Sequence, residues 1–386
     1  MGFPLLSVQR SSQDRQLFFQ ISEFLFQFRN FLIFLFSGLT PLSAKDPETS
    51  EDNSATDLKS EIKAYILHHL EDSHYFNLMS YTDKISGKKV YIGIPLPVIL
   101  WDNGLKIFSS NKFDHGKTVV QSGDNYYKLY HGKVYHTDAK GIINYDEKNH
   151  PINFKPLDFS ITKNVVSILF TALIMFLLFK GLADSYKKNG MIAKGLGRFF
   201  EPQVLYNRDE IDIPNIGEKH YKRFMSYLLT LFFFIWFLNL LGLTPLGINV
   251  TGNIAITFAL ALITFIITNL SGKKTYWKHI FWMPGVPIPM KIILAPIELL
   301  GVIIKPFSLM IRLYANISAG HIVLMSLISL MFIFRNWLGS SLSFALAFSI
   351  SIIEILVALL QAYIFTVLSA LYFGFAVEEH DDHNHH

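Results

Sequence analysis

The sequence predicts an all-α polytopic membrane protein of about five membrane helices, including a long, strongly tilted C-terminal hairpin, with a small β-rich extramembrane N-terminal domain. Three observations carry this. The 386 residues are 51% hydrophobic, include 35 phenylalanines and have a mean hydropathy of +0.33, a composition typical of membrane chains. Apolar stretches long enough to cross a bilayer recur from Phe159 onward. Ahead of them, short runs separated by turn residues describe strands. A net charge of +4 is too modest to suggest nucleic acid, and the lack of cysteine removes disulfides, iron–sulfur clusters and thiolate catalysis. No glycine-rich phosphate loop, zinc-protease motif or inverted repeat is present. No cofactor or metal is expected.

Residues 1–44 combine Arg10, Arg15 and Arg29 with the apolar run Phe31 to Phe36 and small residues through Ala44. That describes a secretory signal peptide; an extra membrane helix over Leu17 to Leu39 would have to bury Glu23 and Arg29. A polar linker follows over Lys45 to Ala55, then an amphipathic helix over Leu58 to Leu70. Residues 45–157 are expected to form a periplasmic α+β extension. Its strands are predicted at Val90 to Ile94, Tyr126 to Tyr130 and Gly141 to Tyr145. Its turns fall at Asp102-Asn-Gly104, Ser122-Gly-Asp124 and His131-Gly132. Residues 158–380 form the membrane domain and 381–386 a polar tail.

Phe159 to Phe179 is the first span. The loop Lys180 to Arg223 then mixes nine basic with six acidic residues and is expected to face the cytoplasm. Phe224 to Pro245 crosses back. The outer turn Leu246 to Asn253 carries no charge, and Ile254 to Leu270 returns to Lys273, Lys274 and Lys278. Trp277, Trp282, Pro284, Pro287 and Pro289 suggest a broken interfacial re-entry. A helix starting at Phe307, just past Pro306, and a second over Leu342 to Ala376 are joined by a turn at Arg335 to Ser341. At 1.5 Å per residue they run about 42 and 52 Å, longer than a hydrocarbon core of roughly 30 Å, so they must tilt.

The candidate site lies in that hairpin and the segment before it. Glu298, Lys305, Ser308, Arg312 and Asn316 are spaced by seven, three, four and four residues along one helical face. An arginine at bilayer depth costs several kcal/mol, so it persists where water, a counter-charge or a moving partner meets it. In an antiparallel hairpin, residues at equal depth are symmetric about the turn. Arg312 with Gln361, and His321 with Glu354, are both centred near Trp337. His321, nine residues after Arg312, points about 180° away on an ideal helix. Either the helix is irregular near Ala319-Gly320 or His321 addresses a second, water-filled side. Histidine and glutamate exchange protons when burial and neighbours tune them, whereas arginine stays charged. A fixed cation flanked by a titratable pair describes a proton path with an electrostatic barrier in it; the plainer alternative is a buried pair that only holds two helices together.

The segment Lys305 to Gly320, with Leu360 to Phe365 and the ending Glu378-Glu-His380, closely resembles subunit a of the rotary (F-type) ATP synthase membrane sector. The family pattern Arg-Leu-x-x-Asn-x-x-Ala-Gly is met by Arg312, Leu313, Asn316, Ala319 and Gly320. Ile297-Glu298 and the stretch Phe237 to Pro245, which contains Asn239, add to it. The resemblance covers about Leu157 to His380 and leaves residues 1 to about 150 unexplained.

The resemblance implies that Arg312 faces the carboxylates of a ring of c subunits and separates two half-channels. Ser308, Asn316, Gln361, Asn239, His321, Glu354 and, on the cytoplasmic side, Glu298 would line the proton pathway. Many bacterial relatives carry glutamate at the position of His321 and histidine at that of Glu354; the exchange is also found in mitochondrial relatives. An aspartate often present near Gly242 is missing here. The implied partners are the c ring, the peripheral-stalk b subunits, the rest of the synthase and the lipid bilayer. The implied location is a bacterial inner membrane, with the N-terminal domain periplasmic and the C-terminus cytoplasmic. Such a subunit performs no catalysis itself. A self-contained ion or proton carrier, a structural anchor, or the same role coupled to sodium remain alternatives.

Overall fold

The architecture follows from a computed structural model that describes residues 72–82, 89–147, 150–189, 195–244, 248–283, 285–333 and 337–378. The predicted signal peptide, the linker and the helix over Leu58 to Leu70 lie outside these residues, as does the polar tail. Eight strands precede a set of helices: β1 (Tyr75–Thr82), β2 (Lys89–Pro95), β3 (Pro97–Trp101), β4 (Leu105–Ser109), β5 (Val120–Ser122), β6 (Asn125–Tyr130), β7 (Lys133–Thr137) and β8 (Leu157–Asp158). All pairings are antiparallel, in the orders β1-β2, β4-β3-β8 and β5-β6-β7. Val98, Leu100, Phe108, Phe113, Val120, Tyr127 and Val134 make their core.

The turn chemistry acts where the sequence places it. Asn103 and Gly104 link β3 to β4, Gly123 links β5 to β6, and His131 and Gly132 link β6 to β7, all at positive φ, the region tight hairpins require. The expected strand at Gly141 to Tyr145 is absent. Among the described residues the segment forms an isolated bridge of Tyr145 to Pro151, where the Asn144 carbonyl accepts from the Ile152 N–H, while ahead of it side chains take the amides: Asp138 accepts from the Ile142 N–H and Asn153 from the Asn144 N–H. Such local bonds compete with a sheet ladder.

The helices are α1 (Lys163–Asn189), α2 (Leu196–Tyr206), α3 (Ile213–Ile216), α4 (Tyr221–Gly242), α5 (Ile254–Ser271), α6 (Lys274–Phe281), α7 (Ile288–Ile333) and α8 (Trp337–Val377). Five of them, α1, α4, α5, α7 and α8, are long and apolar enough to cross a membrane. Their shared core runs through Met175, Phe232, Phe233, Ala261, Leu309, Leu313, Ile317, Ala362 and Phe365, with Phe179 edge-on to Phe233 at 5.1 Å.

The hairpin is longer than the sequence suggested. Pro306 does not start a helix: α7 begins at Ile288 and runs 46 residues through Pro296 and Pro306. Each proline removes one backbone donor, a loss that membrane helices tolerate when neighbouring groups re-satisfy the backbone. The expected turn at Arg335 to Ser341 is also shorter, since α8 is already helical from Trp337 and extends 41 residues. At 1.5 Å per residue the two helices run about 69 and 62 Å.

Between the first two spans the sequence suggested only a loop, but the structure forms α2, a π-helical turn over Asn207–Asp212 and α3. This layer packs on the end of α8, where a side chain on Gly374 would strike the carbonyl of Asn215. Asp212 is fully buried there, and neither carboxylate oxygen has a hydrogen-bond partner. Burial pushes its pKa up from 3.8 to about 7. An acid whose folded pKa exceeds its unfolded one costs stability on ionising, and the cost grows as pH rises from the unfolded value through the folded one. Asp212→Asn is therefore expected to raise the thermal unfolding temperature of the purified protein at pH 8 and hardly at all at pH 4. The ceiling, three pKa units, is about 4 kcal/mol. Equal gains at both pH values would show that ionisation is not the cause.

Candidate functional site

Helix α7 carries the predicted stripe. Leu309, Met310, Leu313 and Ile317 are buried in the core shared with α4, α5 and α8, and Val302 with Tyr276 and Ile280 of α6 and Ala376 of α8, while Ile303, Phe307, Ile311, Ile322 and Val323 are exposed. Glu298, Lys305, Ser308 and Arg312 are half-buried and Asn316 is exposed, so the stripe follows the rim between the packed face and the open one. Among the described residues Arg312 makes no ion pair and no hydrogen bond within the chain; its charge does reach the Tyr372 hydroxyl on α8.

On one side of Arg312, Glu298 and Lys305 lie within electrostatic range of each other. The Lys305 ammonium stands 5.4 Å from the Tyr372 ring centre and 5.6 Å from that of Phe375, a cation–π arrangement that keeps a charge tolerable in a poorly solvated place. Beside it a cavity of about 20 Å³ is lined by Thr264, Thr268, Asn269, Tyr276, Lys305 and Tyr372, room for roughly one water.

On the other side, two glycines make room for the titratable groups. A side chain on Gly320 would collide with the Glu354 carboxylate, and one on Gly242 would sit 3.1 Å from His321 Nε2. The contact of Glu354 with Gly320 pairs α7 and α8 in the register centred near residue 337, as the symmetry of the sequence required. His321 itself is buried on the α4 side. Helix α7 is unbroken through Ala319-Gly320, so no irregularity turns His321 toward Arg312; it addresses a different side of the helix. Nor does a hydrogen bond or ion pair join His321 to Glu354 among the described residues.

Gln361 is buried, one turn from Ala358. Asn239 is buried as well: its side-chain amide donates to the Ala358 carbonyl at 3.5 Å and its oxygen accepts from the Thr251 hydroxyl at 2.7 Å. It therefore fixes α4 and the outer turn against α8 at the depth between Glu354 and Gln361. Along α7, Arg312 lies about 21 Å from Glu298 and about 14 Å from His321 at 1.5 Å per residue.

Sequence reasoning missed a further polar face. Lys163, Asn164, Ser167 and Thr171 at the start of α1 are all buried. Ser167 donates to the Lys163 carbonyl and Thr171 to that of Ser167, each at 2.8 Å. Their four-residue recurrence inside an apolar span was the available signal. Thr251 was hidden in an uncharged turn that folds inward, with Ile248, Asn249, Val250 and Thr251 buried.

Five helices long and apolar enough to cross a membrane, with Arg312 on the rim of an open face and without an ion pair among the described residues, define a multi-pass membrane protein. Residues 165–374 match the family model described as "ATP synthase A chain". The chain is 43% identical over 235 residues to the ATP synthase subunit a of Chloroherpeton thalassium, covering 59% of this chain and 70% of that one. It is 42% identical over 240 residues to that of Myxococcus xanthus, covering 59% and 78%. Residues 65–159 match a domain of unknown function, DUF8433. The chain belongs to the ATP synthase A chain family.

Proposed function

We propose that the chain is the proton-conducting stator subunit of an ATP synthase membrane sector, in which Arg312 separates two half-channels that serve a ring of c subunits. A proton enters from the outer side by way of His321 and Glu354, neutralises a ring carboxylate and lets that site move into lipid. The next ionised carboxylate is drawn to Arg312 and discharges toward the Glu298 side. The driving force is about 2.3 kcal/mol per charge per 100 mV, plus the pH gradient.

The observation that carries this is Arg312 itself. It sits on the rim of the exposed α7 face with no carboxylate paired to it among the described residues, and that face and the exposed side of α8, including Ile352, Ile353, Leu356 and Leu360, are apolar. A buried or lipid-facing cation without an internal counter-charge calls for one from outside, and a sliding ring supplies it transiently. Asn316 and Ser308 line the same rim, Gln361 and Asn239 the wall behind it. The b subunits and the rest of the synthase complete the assembly. The positive-inside pattern supports a bacterial inner membrane location with residues 45–157 periplasmic, behind a signal peptide at 1–44, and the C-terminus cytoplasmic.

Reconstitution tests the proposal. The purified chain alone in vesicles is expected to leave a proton gradient intact, and the chain with its ring and stalk to dissipate it during rotation. Transport by the chain alone would overturn the stator role in favour of a self-contained carrier.

A further inference from the structure

Between Glu218 and Glu298 the sequence contains no acidic residue. Within that interval α5 ends at Ser271 and α7 begins at Ile288, both helices being long and apolar enough to cross a membrane, so the connection that holds α6 lies at a bilayer surface. One face of α6 is fixed to the bundle. The Lys273 N–H just ahead of it donates to the Ala376 carbonyl at the end of α8 at 2.9 Å, and Tyr276 and Ile280 are buried with Val302 of α7 and Ala376.

At 3.6 residues per turn the rest of α6 divides into two further sectors. Trp277 and Phe281 lie beside the buried pair, and Lys274 and Lys278 beyond them. Both sectors are open. The Trp277 and Phe281 rings are exposed and stacked at 6.1 Å and 16°, and Lys274 and Lys278 are exposed too. Two cations converge on Trp282, which is half-exposed. Lys278 accepts its N–H at 2.7 Å through the backbone carbonyl, and the Lys291 ammonium from the first turn of α7 stands 4.7 Å from its ring centre. Among the described residues Lys274, Lys278 and Lys291 make no ion pair. The exposed apolar surface continues along α7 through Ile288, Met290, Ile292 and Ile293.

An ammonium has three donors and no acceptor, so these lysines call for anionic oxygens. Indole rings favour the headgroup level of a bilayer, and an aromatic sector bordered by lysines is what an interfacial helix presents to anionic lipid. A free phosphate would leave Trp277, Phe281 and Trp282 uncovered, whereas a phospholipid brings the anion and the apolar cover together.

We propose that α6 and the first turn of α7 bind an anionic phospholipid: Lys278 and Lys291 take its phosphate, Lys274 adds its charge one turn away, and Trp277, Phe281 and Trp282 lie against its glycerol and upper acyl chains. The inference asks only that α5 and α7 span the membrane and stands apart from the stator reading. The whole synthase is reconstituted in phosphatidylcholine vesicles carrying a trace of photoactivatable phosphatidylglycerol or, in parallel, photoactivatable phosphatidylcholine, and the adducts are mapped by peptide mass spectrometry. Phosphatidylglycerol is expected to label residues 274–291 at least ~10-fold more than phosphatidylcholine, because each lysine near an anionic headgroup contributes about fivefold. Lys278→Gln with Lys291→Gln is expected to bring the ratio close to one, and Lys278→Arg with Lys291→Arg to keep it. Should the double glutamine variant fail to assemble, Lys274→Gln, on the open sector, is expected to lower the ratio by roughly fivefold on its own.

Equal labelling by the two lipids in the unmodified protein, or an undiminished ratio in the glutamine variants, would overturn the proposal in favour of ordinary surrounding lipid. Labelling of other helices with none on residues 274–291 would overturn it in favour of a protein subunit covering this face. Loss of the phosphatidylglycerol adduct in excess inorganic phosphate would overturn it in favour of a free-anion site.

Discussion

Arg312→Ala is expected to abolish coupled ATP synthesis and to leave a passive proton leak in its place. The loss should be at least ~100-fold, since a fixed charge worth several kcal/mol at bilayer depth is removed and each 1.36 kcal/mol is a factor of ten. Two effects combine. The ionised ring carboxylate loses the cation that draws it out of lipid, so each step stalls. The two polar zones, Glu298 with Lys305 and His321 with Glu354, lose the barrier between them, so protons pass without turning the ring. Arg312→Lys keeps a charge but gives up the planar, always-protonated fork, and is expected to recover little. The check is paired: ATP synthesis under an imposed gradient, and gradient decay in vesicles with the catalytic sector removed. Unchanged ATP-driven pumping in the alanine variant would remove Arg312 from the mechanism.

The second large effect is expected at Glu354. Glu354→Gln preserves size and hydrogen-bonding shape but removes the titratable carboxyl, and should slow proton flux by roughly the 10²–10⁴-fold that a positioned acid–base group contributes. Gly320→Val makes an independent geometric test: it leaves Glu354 chemically intact but fills the space its carboxylate occupies, so flux should fall with the assembly still formed. If both variants carry protons at the normal rate, the outer path runs elsewhere. If only the Gly320 variant is impaired, packing of α7 on α8 rather than proton transfer is what that contact supplies.

The absence of a direct His321–Glu354 bond refines the picture of this pair. Depth along the helices was legible in the sequence because an antiparallel hairpin makes residue numbers symmetric about its turn, and the contact of Glu354 with Gly320 obeys that symmetry. Azimuth was not: the sequence left a choice between an irregular helix and a second side for His321, and the unbroken α7 between Arg312 and His321 decides for the second side. What the sequence left open was which neighbour His321 meets. It meets Gly242 of α4, a position that no periodicity links to it.

The strands show the same division. Turns whose glycines or asparagine need positive φ were readable at Asp102-Asn-Gly104, Ser122-Gly-Asp124 and His131-Gly132, because that requirement is local. The strand expected at Gly141 to Tyr145 failed because Asp138 and Asn153 offered its backbone other partners, and those partners are placed by the fold. The layer of α2, the π-helical turn and α3 was read as a loop, since its charges masked a buried face that exists only because the end of α8 covers it.

The sequence by itself determined the five apolar spans, the rim of Glu298, Lys305, Ser308, Arg312 and Asn316, and the pairing depth of the final hairpin, because periodicity and hydropathy are properties of the chain taken one helix at a time. The tertiary structure alone decided that Asp72 caps α1, that His321 lies against Gly242, and that Asn239 joins Thr251 to Ala358. Those contacts join residues 12 to 119 positions apart, and free energy at that range is set by what packing excludes from water rather than by any local pattern.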